Sequence, residues 1–173
     1  MGRRYARDAR LQISSFGRGS KFLHDAYVLA KFAGKVGADE VCLAPKNETW
    51  PDGFVRLGDR VHKVEVTSTH GDRKLGEGYR NPSGWRSDPV EDWVARADSI
   101  PEYLDKAIGD KVNRYGAARN ACWLVVYLNI DEWGIRQTQI EQVIADTIFR
   151  YRDRFENLSV LWKGKLYSAS EMP

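Results

Sequence analysis

The sequence predicts an α/β fold: a mixed central β-sheet flanked by helices, with an αβββαβ core followed by an extra C-terminal helix and a β-hairpin. Three observations predict it. Residues 121–130, ACWLVVYLNI, are a continuous apolar run, as in a central strand covered on both faces. Residues 61–69, VHKVEVTST, are rich in β-branched side chains that alternate between two faces. Two segments, 19–37 and 135–153, carry apolar residues at helical spacing.

In chain order, the first helix, 19–37, rests on Phe22, Ala26, Leu29, Ala30, Ala33 and Val36, and Gly34 and Gly37 mark its end. EVCLAP, residues 40–45, is a short apolar strand, followed by the turn-rich link NETWPDG. FVRLG and VHKVEVTST flank Gly58-Asp59, a pair of the kind that closes tight hairpins. Residues 70–90 read as loop, punctuated by glycine and proline. A helical region covers 90–115, broken or restarted at Ser99-Ile100-Pro101, where Ser99 can cap and Pro101 suits a first turn. After the 121–130 strand, the helix 135–153 is built on Ile135, Ile140, Val143, Ile144, Ile148 and Tyr151. SVLWKGKLYSA closes the fold as a hairpin turning at Lys163-Gly164.

The 173 residues suit one domain, 19–173, behind a basic N-terminal arm, 1–18. Apolar residues make up 42% and charged residues 29%, as in a soluble globular protein. No apolar run approaches the roughly 18 residues of a membrane span, and the N-terminus carries no apolar signal segment, so no membrane partner is expected. Cys42 and Cys122 lie far apart with no metal-ligand spacing, and their apolar surroundings predict buried thiols in a reducing cytoplasm. The net charge of +3 is uneven: Arg3, Arg4, Arg7, Arg10, Arg18 and Lys21 against Asp8 give residues 1–21 a charge of +5. A basic arm on a near-neutral body fits either an anionic partner, nucleic acid being the commonest, or a solvated tail.

The hairpin sets two carboxylates side by side. A two-residue turn at Gly58-Asp59 pairs Val55 with His62, Phe54 with Lys63, Gly53 with Val64, and Asp52 with Glu65. This register gathers Val55, Leu57, Val64 and Val66 on one face, whereas a three-residue turn would mix the faces. Opposed residues have Cβ atoms roughly 4.5–5.5 Å apart. Like charges so placed are destabilising unless a cation lies between them, and two oxygen ligands suit Mg²⁺ (or Mn²⁺). The alternative is that the strand ends splay, leaving Asp52 in a turn and Glu65 on the wet side of its strand.

Pro51-Asp52, a strand, and then Glu65-Val66-Thr67 resemble the PD-(D/E)XK nuclease superfamily, which has the restriction-endonuclease fold. Its αβββαβ order matches the elements read over residues 19–130. The resemblance implies that Asp52 and Glu65 bind a divalent ion and that the carbonyl of Val66 adds a ligand. A carboxylate from the first helix often joins such sites, and Asp25 is the only acidic residue within that helix. The motif's third residue is usually lysine; here it is Thr67. The resemblance therefore implies either a relocated lysine or a degenerate site.

Lys111 is the leading candidate for that lysine, because it falls in the stripe of Leu104, Ile108 and Tyr115 that faces the sheet. It either serves the site or snorkels to the helix end. Lys63 is a second candidate, on the same strand face as Glu65. The loop leaving Glu65's strand carries His70, Arg73, Lys74, Arg80 and Arg86, interleaved with Tyr79 and Trp85, the mixture that contacts phosphates and stacks on bases. GRGSK lacks phosphate-loop spacing, His24-Asp25 lacks the further histidines of metal phosphohydrolases, and no nucleophile elbow is visible. The resemblance implies a Mg²⁺-dependent nuclease acting on DNA. The rival is a catalytically inert nucleic-acid-binding or protein-interaction module on the same fold. A homodimer is left open.

Overall fold

The computed structural model describes residues 20–45, 48–71, 89–115, 121–130, 132, 134 and 136–169. The basic arm and loop residues Arg73, Lys74, Arg80 and Arg86 lie outside them. Helix α1 spans Ser20–Val36, strand β1 Glu40–Leu43, β2 Gly53–Leu57 and β3 Arg60–Thr69. Helix α2 follows over Val90–Tyr115, then β4 over Trp123–Leu128 and α3 over Gln137–Tyr151. A 3₁₀ turn, Arg152–Arg154, leads into β5, Asn157–Trp162, and β6, Lys165–Ser168. This is the expected mixed α/β order.

The six strands lie in one sheet in chain order, β1 to β6. β1, β2 and β3 pair antiparallel, β3, β4 and β5 parallel, and β6 returns antiparallel to β5. The pairs Gly53–Val64, Phe54–Lys63 and Val55–His62 reproduce the register read from the hairpin. Gly58 supplies the positive φ, 57°, at the first turn position. The second hairpin turns where expected, with Lys163 at φ 49° and Gly164 at φ 75°.

Two cores clothe the sheet. Val28, Leu29, Phe32 and Ala33 of α1 pack on Val55, Val64, Val66 and Val125. On the other face, Ile100, Leu104 and Ile108 of α2 and Ile140, Ile144 and Ile148 of α3 pack on Leu124, Val126, Leu158 and Val160. Each such side chain contributes about 1.5–3 kcal/mol when fully buried. β4, covered on both sides, is the central strand that its apolar run predicted.

Several expectations are corrected. The α1 stripe is rotated: Ala30 is exposed, while Asp25, Val28, Leu29, Phe32 and Ala33 are buried. That spacing of three and four residues puts Asp25 on the buried face. α1 ends at a Gly37 cap, φ 67°, with Ala38 N–H donating to Ala33 O at 2.9 Å. α2 is not broken at Pro101. Its buried stripe of Ala97, Ile100, Leu104 and Ile108 runs straight across the proline, so packing on the sheet outweighs one missing backbone bond. Ser99 does not cap a new helix; its hydroxyl donates to Arg96 O at 2.8 Å. Cys42 is exposed, because β1 is an edge strand, whereas Cys122 is buried as expected. Among the described residues, no helix is long and apolar enough to cross a membrane.

Candidate functional site

Asp52 stands just before β2, and Asp25 reaches it from α1. Their approach depends on Gly53: a Cβ there would collide with Leu29 Cδ2 and lie 2.6 Å from Cys42 O. The bare glycine lets α1 settle against the start of β2. Lys21, one turn before Asp25, donates to Asp25 Oδ2 at 2.9 Å and to Asp52 Oδ1 at 3.1 Å. The other Asp52 oxygen, Oδ2, accepts the backbone N–H of Val66 at 2.9 Å. One ammonium thus bridges two carboxylates, and Asp52 is tied to the strand that carries Glu65.

The bridge is held from one side by solvent. The Lys21 side chain is 75% exposed, against 12% for each aspartate. Burial pushes the Asp25 carboxyl above its usual range, opposed by the Lys21 hydrogen bond, and the Asp52 charge pushes it further up. For Lys21, partial burial is outweighed by its bonds to Asp25 and the charge of Asp52, and its pKa rises.

Glu65 projects from β3 toward α2 and is 2% exposed, so it is not on a wet strand face. Lys111 and Tyr115, one turn apart on α2, both donate to Glu65 Oε1, the tyrosine at 2.7 Å. Oε2 is buried with no hydrogen-bond partner among the described residues. Burial raises the Glu65 pKa, Lys111 and Tyr115 oppose the rise, and the charge of Asp52 adds to it. Burial, and then the bond to Glu65, push the Tyr115 hydroxyl up to about 12, so it remains a donor at neutral pH. Thr67 is half-buried on the same strand face. Lys63 instead lies over the Trp50 ring, 4.7 Å from its centroid, in an exposed position.

Beside this group, His24 shares a hydrogen bond with the Ser68 hydroxyl, and its ring meets His70 edge-on at 5.5 Å. His70 Nδ1 lies 3.3 Å from Asn129 Nδ2, while its Nε2 is buried without a partner among the described residues. Burial lowers both histidine pKa values below 6.5, which leaves neutral imidazoles at pH 7.

The structure therefore brings Asp25, Asp52 and the Val66 backbone together, and sets Lys111 on Glu65. Sequence reasoning assigned none of Lys21, Tyr115, His24 and Ser68 to the site. The i, i+4 spacing of Lys21 and Asp25 and the helical stripe through Tyr115 were the available signals.

Among the described residues, no group of three or more His, Cys, Asp or Glu side chains is arranged to hold a metal ion. The Asp25–Asp52 pair nonetheless suits Mg²⁺, which takes one or two carboxylates and keeps several waters. A single cation already bridges their oxygens. Compared with protein-family models, curated proteins and solved structures, the chain gives no match.

Proposed function

We propose that this chain is a divalent-metal-dependent nuclease of PD-(D/E)XK type that hydrolyses phosphodiester bonds of DNA in the cytoplasm. The observation that carries the reading is the pairing of Lys111 with Glu65 on the strand whose backbone holds Asp52. It supports Lys111 as the relocated motif lysine, in a family pattern where Thr67 replaces the usual one.

Asp25 and Asp52 would hold Mg²⁺ or Mn²⁺, with Lys21 giving way; the family pattern implies Glu65 and the Val66 carbonyl as further ligands, and Glu65 would have to turn from Lys111 and Tyr115 to join them. The ion, when bound, lowers the pKa of water and neutralises the scissile phosphate. The chain's own residues position and stabilise. Lys111 sets positive charge beside Glu65, where negative charge on the phosphate grows during attack. Tyr115 fixes the Glu65 carboxylate, and the Val66 N–H fixes that of Asp52. The basic arm and the loop bearing His70, Arg73, Lys74, Arg80 and Arg86 supply the expected contacts to DNA.

One observation favours a second reading. Lys21 already pairs with both Asp25 and Asp52, as in a family member that has lost its metal. On that reading the chain is a catalytically inert nucleic-acid-binding module. A cleavage assay on plasmid and single-stranded DNA, with and without Mg²⁺ or Mn²⁺, separates the two. Metal-dependent cutting by wild type and none by Asp52→Ala supports the nuclease. DNA retention without any cutting supports the inert module.

A further inference from the structure

A cleft of about 660 Å³ opens at the carboxyl ends of β4 and β5, beside α1. Open α/β sheets bind ligands at that edge, and the size lies within the range of small-molecule sites. None of Asp25, Asp52, Glu65 and Lys111 lines it.

Two kinds of group line the cleft. The first is cationic. α1 contributes Lys31 and Lys35, one turn apart and both exposed. Among the described residues neither forms an ion pair, and the Lys31 ammonium lies over the Tyr27 ring, 5.6 Å from its centroid. Lys163 is a third ammonium, but the buried carboxylate of Glu132 already takes its charge. Among the described residues lining the cleft, Lys31 and Lys35 leave an excess of positive charge.

The second is aromatic. Tyr27, 49% exposed, meets Tyr127 edge-on with ring centroids 6.0 Å apart. α2 adds Trp93, and β5 ends at Trp162. The Trp162 indole Nε1 is buried, with no acceptor among the described residues. The exposed Tyr27 ring, with the Lys31 ammonium 5.6 Å from its centroid and Lys35 one turn further on, matches a planar base joined to a phosphate. Every base offers a π-face for stacking, and lysine is a common phosphate binder.

We propose that this cleft binds a nucleoside phosphate, either a free nucleotide or one unit of a nucleic-acid strand, with the base against Tyr27 and Tyr127 and the phosphate on Lys31 and Lys35. The site stands apart from the hydrolytic reading, and loss of cleavage leaves it untouched.

The test titrates the full ¹⁵N-labelled chain with adenosine monophosphate, with adenosine, and with a short single-stranded oligonucleotide, following the tryptophan indole N–H signals. The same titrations are run on Lys31→Gln/Lys35→Gln, on Tyr27→Ala and on Asp52→Ala. The lysine and tyrosine changes are at exposed positions, so the fold is retained. Adenosine monophosphate or the oligonucleotide is expected to shift the Trp93 and Trp162 indole signals, and adenosine to bind more weakly. The double lysine variant and Tyr27→Ala are each expected to weaken binding by about tenfold, while Asp52→Ala binds like wild type. Response to the oligonucleotide alone assigns the cleft to a strand, and response to the mononucleotide assigns it to a free nucleotide. Indole signals unmoved by both at millimolar concentration, or binding indifferent to loss of both lysines, would overturn the proposal.

Discussion

Lys111 donates a hydrogen bond to Glu65, pairing an α2 ammonium with a β3 carboxylate where only 11% and 2% of the two side chains are exposed. Removing one partner of such a pair leaves a buried charge uncompensated, a loss of about 3–5 kcal/mol. Lys111→Met is expected to lose stability of that order in urea denaturation. Glu65→Gln combined with Lys111→Met is expected to recover part of it, because the two positions couple directly. Additive losses in this cycle would mean that the pair carries little interaction energy.

The same glutamate sets a pH dependence. Burial raises its pKa above 4.5 despite Lys111 and Tyr115, so the folded chain binds the Glu65 proton more tightly than the unfolded chain does. That contribution is fully present below the unfolded pKa and is lost as pH rises through the folded one. The stability of wild type relative to Glu65→Gln is therefore expected to fall as pH is raised above about 4.5. Denaturation at a series of pH values checks it; a difference that grows with pH would reverse the sign.

Lys21 competes with any metal for the Asp25 and Asp52 oxygens. Lys21→Met is expected to bind Mn²⁺ more tightly than wild type in calorimetric titration, and Asp52→Asn more weakly. Weaker binding in Lys21→Met would mean that its ammonium does not occupy the ion's place.

The two thiols differ in reactivity. Burial, and then the Glu65 and Asp52 charges, push Cys122 up to about 12, so it stays protonated, whereas Cys42 is exposed. At pH 8, a disulfide reagent is expected to modify one thiol per chain rapidly and the second only after unfolding. Two fast-reacting thiols would show that the interior beside Glu65 is open.

What the sequence disclosed followed from short-range periodicity. The period of two, anchored by Gly58, determined the β2–β3 register, which begins at Gly53–Val64 and leaves Asp52 just outside the ladder, its carboxylate on the Val66 N–H. The helical stripe placed Lys111 and Tyr115 on the sheet-facing side of α2. Features decided by tertiary packing were not legible. Pro101 reads as a break, yet the buried stripe on both sides of it keeps α2 whole. Ala30 and Val28 are both apolar, so composition alone could not choose between two α1 stripes, and the choice decided whether Asp25 was buried. The Lys21 bridge joins residues 31 apart in sequence, where α1 packs over the bare Gly53. Cys42 sits in an apolar run, but its strand is the edge of the sheet, paired on one side only, through Phe54.

The most direct test is the single-turnover rate of phosphodiester cleavage on DNA at saturating Mg²⁺, compared among wild type, Asp52→Asn and Lys111→Met. The expected result is metal-dependent cutting by wild type that falls by at least about 100-fold in each variant. Cutting that persists unchanged in both variants, or pure wild-type protein that never cuts with Mg²⁺ or Mn²⁺, would contradict a hydrolytic site built on Asp52, Glu65 and Lys111.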